Sequence, residues 1–547
     1  MIINRFKTEF ANTIFRQKYA QGPNDTWDAL ADRLVEDVTG SRNGTTAALM
    51  SDGDRKELAE HIKAMRFIPG GRYLYYAGRP YKAYNNCYLL RAEEDTREEW
   101  SNVTWRAMSC LMTGGGIGID YSRLRPSGKP LSRTGGTASG PLPLMSAINE
   151  IGRNVMQGGS RRSAIYASLN WQHEDISEFL KIKNWSDDIK AAKEKNFNAP
   201  APLDMTNISV NYDDAALVGG LENNPVFKEN VRQALSTAEP GFSFNFGAKQ
   251  NETLRNACTE VTSEDDSDVC NLGSINMGNI ENLEQFKSVV ALASKFLVCG
   301  TLRADLPYSK VYAVREKNRR LGLGLMGIHE WLLQRGYNYE VTPELHKWLE
   351  VYRDESKRSA DEHCDRFYIS RPVAYRAIAP TGTIGILAST TTGIEPLFAV
   401  AYKRRFLTDG TKWKYMYVVD ATADRLIKDY GLKPDTIETA YKLSNNFEQR
   451  IKFQADIQDY VDMSISSTIN LPAWGSRGND ESKVKEFTEK LAKYAPRLRG
   501  FTCYPDGSRG GQPITECSYE DAVANKGTVF EEHDICDITG HGGSCGV

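Results

Sequence analysis

Hydrophobic residues recur at helical spacing in two short stretches near the start of the chain and in four longer stretches further on. Apolar side chains three and four positions apart lie on one face of a helix, so each stretch predicts an amphipathic helix. TWDALADRLVEDV and DRKELAEHIKAMRF predict surface helices within an N-terminal helical region over residues 1–65. The longer predicted helices span residues 139–156, 281–299, 319–336 and 344–364.

Short apolar runs bounded by Gly, Asn and Pro alternate with these helices and predict strands. Strands that alternate with helices, without an internal repeat, favour one large α/β domain, which we expect over residues 66–510. The last segment, residues 511–547, loses periodicity and ends GHGGSCGV, which predicts a mobile tail. The predicted strands include residues 83–91, 165–170, 206–212 and 375–382.

Composition and charge exclude several classes of protein. The 547 residues are 40% hydrophobic and 25% charged, as in ordinary globular proteins. Lys plus Arg number 68 against 71 Asp plus Glu, so there is no basic field for nucleic acid, and any bound nucleotide is expected to be a small molecule. The first ten residues are too polar for a signal peptide, and no apolar run reaches the roughly 18 residues of a membrane helix. We therefore expect a cytoplasmic protein without a nucleic-acid or membrane partner.

Ten cysteines are unusual in such a protein, because the cytoplasm keeps thiols reduced. No pair has CxxC spacing and only seven His are present, so no metal site is predicted. LRNACTEV places Asn256, Cys258 and Glu260 at every second position, and an extended segment would point their amide, thiol and carboxylate to one side. Cys87 and Cys270 lie in apolar predicted strands, where a lone cysteine usually fills the core.

A Gly- and Thr-rich segment, IAPTGTIG, offers a candidate anion site. Gly frees backbone N–H groups to approach an anion and Thr hydroxyls add donors, although a plain turn is the alternative from this stretch alone. The segment lacks the GK[ST] of a P-loop, so we expect binding rather than phosphoryl transfer. A second Gly-rich segment, GGGIGID, is not a GxGxxG before a helix and does not predict a dinucleotide site. The candidate anion-binding residues are Pro380, Thr381, Gly382, Thr383 and Ile384.

Ten segments, in this order, make the chain resemble the catalytic subunit of ribonucleotide reductase over roughly residues 10–515. They are NNCYLL, GGGIGID, QGGSRRSA, TNISV, NACTE, CNLGSIN, RRLGLGLMG, PTGTIG, TGIEP and YPDGSRGGQP. The resemblance implies a ten-stranded α/β barrel of two five-stranded parallel halves with a central finger loop, and the helical pattern of residues 1–65 predicts a cap on it. It implies an oxidoreductase that converts ribonucleoside di- or triphosphates to 2'-deoxyribonucleotides for DNA replication.

The same resemblance implies roles for the cysteines and their neighbours. Cys258, on the finger loop, is the expected thiyl radical site that takes the 3' hydrogen of the ribose. Glu260 is the expected base for the 3'-OH proton, and Asn256 the amide that binds the substrate hydroxyls. Cys87 and Cys270 are the expected pair that donates two electrons and ends as a disulfide. Only a dithiol can supply two electrons and then close on itself, which suits these residue types.

Substrate and effector contacts also follow from the resemblance. Asn86 and the anion-binding residues 380–384 are expected to touch the ribonucleotide. A deoxynucleotide effector is expected at the interface of a homodimer, where it controls substrate choice allosterically. Its expected contacts are Arg125, at the start of loop 125–140, and Glu94 or Asp95.

The tail is expected to reduce the buried disulfide after each turnover. Cys536 and Cys545 are the candidate pair, with Cys517 left open as a partner, and they would exchange with thioredoxin, glutaredoxin or another dithiol. The barrel-like pattern begins near residue 66, so we expect a small form without the family's ATP-sensing cone and without regulation of overall activity.

The sequence leaves two alternatives for the source of the radical. Class I enzymes relay a radical from a separate metal-containing subunit through two adjacent tyrosines, whereas here Tyr504 is followed by Pro505. This favours the class II enzymes, which use adenosylcobalamin. The alternative is a small radical-generating subunit with a relay through Tyr504.

Two other functions are possible for a protein with these motifs. A glycyl-radical enzyme on the same barrel would need a C-terminal RVxGY-type motif, which DGSRGGQP does not match. A non-catalytic nucleotide-binding protein would keep the Gly-rich loops but has no use for the cysteines. Geometry separates these readings, because the reductase requires Cys87 and Cys270 within disulfide reach and Cys258 close by.

Overall fold

The computed structural model describes residues 5–41, 47–132, 134–155, 163–196, 199–408, 412–508, 514–526 and 528–531. Its strands are β1 (Phe67–Pro69), β2 (Cys87–Arg91), β3 (Gly116–Asp120), β4 (Ile165–Asn170), β5 (Thr206–Tyr212), β6 (Gly241–Phe244), β7 (Leu254–Arg255), β8 (Thr262–Ser263), β9 (Asp268–Asn276), β10 (Leu321–Met326), β11 (Ala401–Thr408), β12 (Lys412–Val419), β13 (Thr468–Leu471), β14 (Gly500–Pro505), β15 (Ile514–Glu516) and β16 (Val529–Glu531). Its helices are α1 (Glu9–Lys18), α2 (Trp27–Thr39), α3 (Asp52–Lys63), α4 (Gly71–Tyr76), α5 (Arg97–Met112), α6 (Leu142–Asn154), α7 (Ile176–Lys181), α8 (Asp187–Lys195), α9 (Pro225–Thr237), α10 (Leu283–Arg303), α11 (Ser309–Asn318), α12 (Ile328–Gln334), α13 (Pro343–Arg366), α14 (Gly382–Ala388), α15 (Ala421–Tyr430), α16 (Ala440–Leu443), α17 (Phe447–Gln458), α18 (Glu481–Tyr494) and α19 (Tyr519–Ala524).

Five parallel strands, β2 to β6, lie side by side in chain order and form one half of the main sheet. Parallel neighbours need long crossover connections, and here helices such as α5 and α6 supply them. These strands are almost wholly buried, as expected for parallel sheets covered by helices.

The second half is built from five further parallel strand segments. β9 pairs with β10, β10 is bridged to the segment 374–378 through Leu323 and Arg376, and Ile378 is bridged to Ile465, just before β13. β13 pairs with β14. The two halves meet through antiparallel pairs, β2 with β9 and β6 with β14. Ten strand segments are thus connected edge to edge, and the expected ten-stranded α/β fold is confirmed.

A short hairpin enters the space between the two halves. β7 and β8 form its legs, and residues 256–261 form its tip; residues 254–263 are called the finger hairpin below. The Asn207 side chain on β5 donates to the Ala257 carbonyl at 3.2 Å, and the Ser464 N–H donates to the Glu260 carbonyl at 2.8 Å. The tip is therefore held by both halves of the sheet.

Glycine on β3 makes room for this hairpin. A Cβ placed on Gly118 would collide with the Arg255 carbonyl, and one on Gly116 would lie 3.2 Å from the Ala257 Cβ. The close approach of two backbones requires residues without side chains at these positions. The GIGID pattern is thus a packing requirement of the finger hairpin.

Buried charges fix the base of the finger hairpin. The Arg255 guanidinium, almost wholly buried, donates to the Asn245 side chain at 2.6 Å. Burial and the charge of Arg499 lower its pKa to about 9. Burial alone would raise the pKa of Glu252, but Arg499, Arg320 and other cations lower it to about 2. A buried charge is costly unless paired, so this network favours one position of the hairpin.

The prediction of a single helix over residues 319–336 was wrong. The structure has β10 followed by α12, separated by Gly327 at φ +72°. LGLGLM alternates with period two, and a Cβ on Gly324 would lie 2.7 Å from the Ala377 carbonyl of the neighbouring segment. The two glycines therefore belong to a central strand against which other backbone packs closely.

Other predicted elements differ less. The strands predicted at 165–170 and 206–212 are confirmed as β4 and β5. The strand predicted at 375–382 forms bridges at Arg376 and Ile378 and then gives way to α14, so its end was misplaced. Two strands lie within the segment that was expected to be a mobile tail from residue 511: β15 pairs with β11 and β16 pairs with β12.

Helices α1 to α3 pack directly on the barrel, α1 against α14 and both α2 and α3 against α10. Within the described part of the chain, α10 alone is long and apolar enough to cross a membrane, but 67% of its most apolar window is buried in the fold. It packs along α13 and is a core helix.

Gly118→Ala is expected to lower the free energy of unfolding by about 1–3 kcal/mol, because the added methyl group forces the Arg255 carbonyl to move. Urea unfolding measures the change. Gly53→Ala is the control, since nothing lies within 4 Å of a Cβ at that helical position. Equal stabilities of the two variants would contradict the close packing of β3 on the finger hairpin.

Candidate active site

A cavity of about 340 Å³ opens at the tip of the finger hairpin and is called the central cavity below. Its size is within the range of small-molecule sites. It is walled by both halves of the sheet, the finger tip and the starts of α4 and α14. The residues that line it are Tyr19, Gly70, Gly71, Asn86, Cys87, Gly114, Gly116, Ala164, Asn256, Ala257, Cys258, Glu260, Leu272, Gly273, Ser274, Ala379, Pro380, Thr381, Gly382, Thr383 and Ile384.

Two buried thiols lie on neighbouring strands beside this cavity. Cys87 at the start of β2 is directly opposite Cys270 on β9 in the antiparallel register. Residues paired in this way have Cα atoms about 4.5–5.5 Å apart, and disulfides form at about 4.4–6.8 Å. Both cysteines are thiols in this structure. The backbone thus places the pair where a disulfide can close with little movement.

The finger tip brings an amide and a carboxylate to Cys87. The Asn256 Nδ2 donates to the Cys87 sulfur at 2.9 Å, while the Asn256 Oδ1 accepts from the Val261 N–H at 2.9 Å. The Cys87 Sγ donates to the Glu260 Oε1 at 3.8 Å. The other Glu260 oxygen is buried, and no atom of the described residues donates to it. Glu260 thus lines the central cavity with one carboxylate oxygen left without a donor among the described residues.

Burial controls the protonation of these groups. Desolvation raises the pKa of Glu260 to about 7, so this carboxyl group can exchange a proton near neutral pH. Burial, and next the negative charge of Glu260, raises the pKa of the Cys87 thiol well above its ordinary value. Burial and the charge of Asp268 do the same for Cys270. The pair is therefore held as neutral thiols.

Cys258 is exposed at the tip of the finger hairpin, whereas Cys87 and Cys270 are buried. Thr259, which follows it, has φ +70°, so the chain turns sharply at this point. Asn256, Cys258 and Glu260 all line the central cavity, as the alternation in the sequence predicts. A group that enters the open side of the cavity meets the Cys258 thiol.

The expected substrate contacts also line the cavity. The Asn86 Oδ1 is buried, and none of the described residues donates a hydrogen bond to it. Residues 380–384 form the start of α14, where the first backbone N–H groups have no partner within the helix. The Thr381 hydroxyl accepts from the Gly393 N–H at 2.8 Å and holds the turn in place. The segment is thus a turn that opens a short helix.

A second cavity, of about 910 Å³, lies between the start of α5 and the loop 125–140. The Arg125 guanidinium forms an ion pair with the Asp95 carboxylate at its edge. Glu94 is exposed and is not among the residues that line this cavity. The structure therefore brings Arg125 and Asp95 together at the expected effector site, and leaves Glu94 outside.

Two further predicted residues, Tyr504 and Cys517, are not among the residues that line the central cavity. Tyr504 is half-buried on β14. Cys517 follows β15 and is partly buried. Cys536 and Cys545 lie outside the described residues. Their pairing stays a prediction.

Several lining residues were not singled out from the sequence. Gly70 and Gly71, in the segment FIPGGRYL, and Ser274, in CNLGSIN, belong to motifs whose glycine content could have indicated a close approach. Tyr19 carries no such signal, since it lies in the predicted cap and reaches the cavity only through tertiary packing.

Comparison with known proteins identifies the kind of barrel. A family model described as "Ribonucleotide reductase, barrel domain" matches residues 85–214, 221–347 and 371–498. A "Vitamin B12-dependent ribonucleoside-diphosphate reductase" of Mycobacterium tuberculosis is 25% identical, with 95% of this chain and 82% of the relative covered. A protein of the same name from Thermoplasma acidophilum is 24% identical, with 86% and 68% covered. A "Ribonucleoside-diphosphate reductase subunit alpha" of Synechocystis is 24% identical over 54% of this chain and 44% of its own.

Glu260→Gln is expected to change the pH dependence of stability. Folded Glu260 keeps its proton up to about pH 7, whereas an unfolded glutamate loses it at about pH 4.3. The unfolded state therefore binds fewer protons between these values, and stability falls as pH rises through this window by about 4 kcal/mol in total. Glu260→Gln should lack this component in urea unfolding measured from pH 4.5 to 8.

Glu178→Gln, at an exposed position on α7, is the matched control and should keep the dependence of the unaltered protein. Parallel pH profiles for the unaltered protein and Glu260→Gln would contradict the raised pKa of Glu260.

Proposed function

The chain belongs to the ribonucleotide reductase family, and on that premise we propose how its central cavity reduces a ribonucleotide. The enzyme is an oxidoreductase with a nucleotide substrate. Four groups support the proposed chemistry: the Cys87 and Cys270 thiols, the Asn256 amide and the Glu260 carboxyl group, with Cys258 exposed beside them. A non-catalytic nucleotide-binding protein would not need this arrangement.

Cys258 begins the reaction as a thiyl radical and takes the hydrogen atom from C3' of the ribose. Glu260, through the oxygen that no described residue occupies, accepts the 3'-OH proton, and its pKa of about 7 suits a group that must take and return a proton. The Asn256 amide, held by the Val261 N–H, orients the Cys87 sulfur and the substrate hydroxyls.

Cys87 and Cys270 complete the reduction. The 2'-OH leaves as water after protonation by a thiol, and the two sulfurs together supply two electrons and close an S–S bond. Cys258 then returns its hydrogen atom to C3'. The sum is one ribonucleotide and one dithiol converted to one deoxyribonucleotide, one disulfide and one water. The walls of the barrel exclude water from these steps.

Adenosylcobalamin is the proposed radical source. When bound, it supplies homolytic chemistry that removes the hydrogen atom of a thiol. Cys258 suits it, because this thiol is exposed while the reducing pair is buried. Gly116, Ala164 and Ala257 have small or absent side chains next to the finger tip, and these residues would hold the adenosyl end. The alternative is a relay through Tyr504 from a separate metal-containing subunit.

Residues 380–384 and Asn86 are proposed to bind the substrate, with its phosphates at the start of α14. Arg125 and Asp95 are proposed to bind a deoxynucleotide effector in the second cavity, in a homodimer. Cys536 and Cys545 are the proposed tail dithiol, regenerated by thioredoxin, glutaredoxin or another dithiol. These thiols must be kept reduced, which suits a cytoplasmic enzyme.

Cys258→Ser is expected to lower turnover at least a thousandfold, because an O–H bond is too strong to replace the thiol as a hydrogen-atom donor. CDP binding should change less than twofold. The measurement is deoxycytidine product formed from CDP with adenosylcobalamin and dithiothreitol. Cys364→Ser, outside the central cavity, should keep turnover, whereas retained activity in Cys258→Ser would contradict the assigned role.

The same assay tests the radical source. Product is expected from the unaltered protein with adenosylcobalamin and a dithiol alone. If no product forms with adenosylcobalamin, and product forms only when a metal-containing subunit is added, the proposed cofactor is contradicted. The proposed reductase reaction would still hold.

A further inference from the structure

One wall of the central cavity comes from the N-terminal helices. Tyr19 follows directly after α1, is only 6% exposed, and lines the cavity although it lies far from the finger hairpin in sequence. Helix α1 packs against α14, whose first residues also line the cavity and form the proposed phosphate site. The tertiary packing of α1 therefore carries Tyr19 to the phosphate side of the cavity.

The Tyr19 hydroxyl group lies where a side chain at position 71 would begin, if residue 71 were not glycine. The Tyr19 Oη lies 2.9 Å from the position of a Cβ on Gly71, and the ring carbon that bears it lies 3.7 Å away. Gly71 begins α4 and does not have the positive φ that would require glycine. Because residue 71 is glycine, there is room for the Tyr19 phenol group beside it.

The charge of the cavity wall makes each hydroxyl group important. Among the described residues that line the central cavity there is no Lys or Arg. Within the described part of the wall, a bound phosphate group would therefore meet backbone N–H groups and hydroxyl donors. The hydroxyl-bearing residues of the wall are Tyr19, Ser274, Thr381 and Thr383.

We propose that the Tyr19 hydroxyl donates a hydrogen bond to a phosphate oxygen of the bound ribonucleotide, so that the N-terminal helices form part of the substrate site. The inference rests on the proposed function for the identity of the substrate. Tyr19 is in this view a residue that determines affinity for the phosphorylated form of the substrate over the bare nucleoside.

Tyr19→Phe tests the proposal, because it removes the hydroxyl group and keeps the ring. Equilibrium dialysis with CDP and with cytidine measures binding without turnover. A lost hydrogen bond to a charged group corresponds to a roughly ten- to hundredfold weaker affinity for CDP. Cytidine, which has no phosphate, should bind Tyr19→Phe as it binds the unaltered protein. Tyr368→Phe, at a site 97% exposed, is the matched control and should change neither value.

A second variant tests the position of the hydroxyl group. Gly71→Ser alone should weaken CDP binding, because its Cβ would crowd the Tyr19 hydroxyl. Tyr19→Phe combined with Gly71→Ser has room for the new side chain and returns a hydroxyl group to the same place. This double variant should bind CDP more tightly than either single variant. A double variant as weak as Tyr19→Phe would count against a hydroxyl donor at this position.

The outcomes separate this inference from the proposed reaction. Unchanged CDP affinity in Tyr19→Phe, or an equal loss for CDP and cytidine, would overturn the role of the hydroxyl group. Absence of deoxynucleotide product from the unaltered protein would overturn the proposed reaction, and the binding result for Tyr19 would still be decided. Thermal unfolding of each variant confirms that the binding values refer to folded protein.

Discussion

The structure depends on carrying a polar backbone segment through the inside of a barrel. Apart from Cys258 and Thr259 the residues of the finger hairpin are buried, and each of their N–H and C=O groups left without a partner would cost free energy. The tip meets this constraint by bonding to both halves, through the Asn207 side chain and the Ser464 N–H. Gly116 and Gly118 let the hairpin lie against β3. The position of the reactive groups follows from these contacts.

The buried charges beneath the hairpin serve the same constraint. The Arg255 guanidinium donates a hydrogen bond to the Asn245 side chain. The Glu252 carboxylate accepts hydrogen bonds from the Arg499 guanidinium and from the Thr262 hydroxyl. Both legs of the hairpin are therefore tied to the surrounding strands. Such pairs add little net stability, since desolvation offsets their attraction. Their effect is to penalise any shift of the hairpin that would separate a buried charge from its partner. A fixed tip is what the proposed chemistry needs, because hydrogen-atom transfer requires close and constant distances.

The sequence could predict what depends on local pattern and on motifs. β4 and β5 were predicted to the residue because short apolar runs stand between clear turn signals. The spacing of Asn256, Cys258 and Glu260 predicted one common side for an extended segment, and all three residues line the central cavity although the finger tip is a turn. β10 was mistaken for a helix, because apolar residues in a Gly-containing run fit both periods until the neighbouring strands are known. Tyr19 could not be found, since only the packing of α1 on α14 brings it to the cavity.

Burial within the fold determines the protonation states of the two buried thiols and of the Glu260 carboxyl group. A barrel interior withholds water from Cys87 and Cys270, and burial raises the pKa of both thiols well above its ordinary value. A thiolate would suit nucleophilic attack, whereas a donor of protons and electrons must begin with its S–H bond intact. The same burial raises the pKa of Glu260 only to about 7, so the carboxyl group can still give up its proton at neutral pH. One physical cause thus keeps two thiols neutral and leaves one carboxyl group able to exchange a proton, which is the division of roles in the proposed reduction of the ribose.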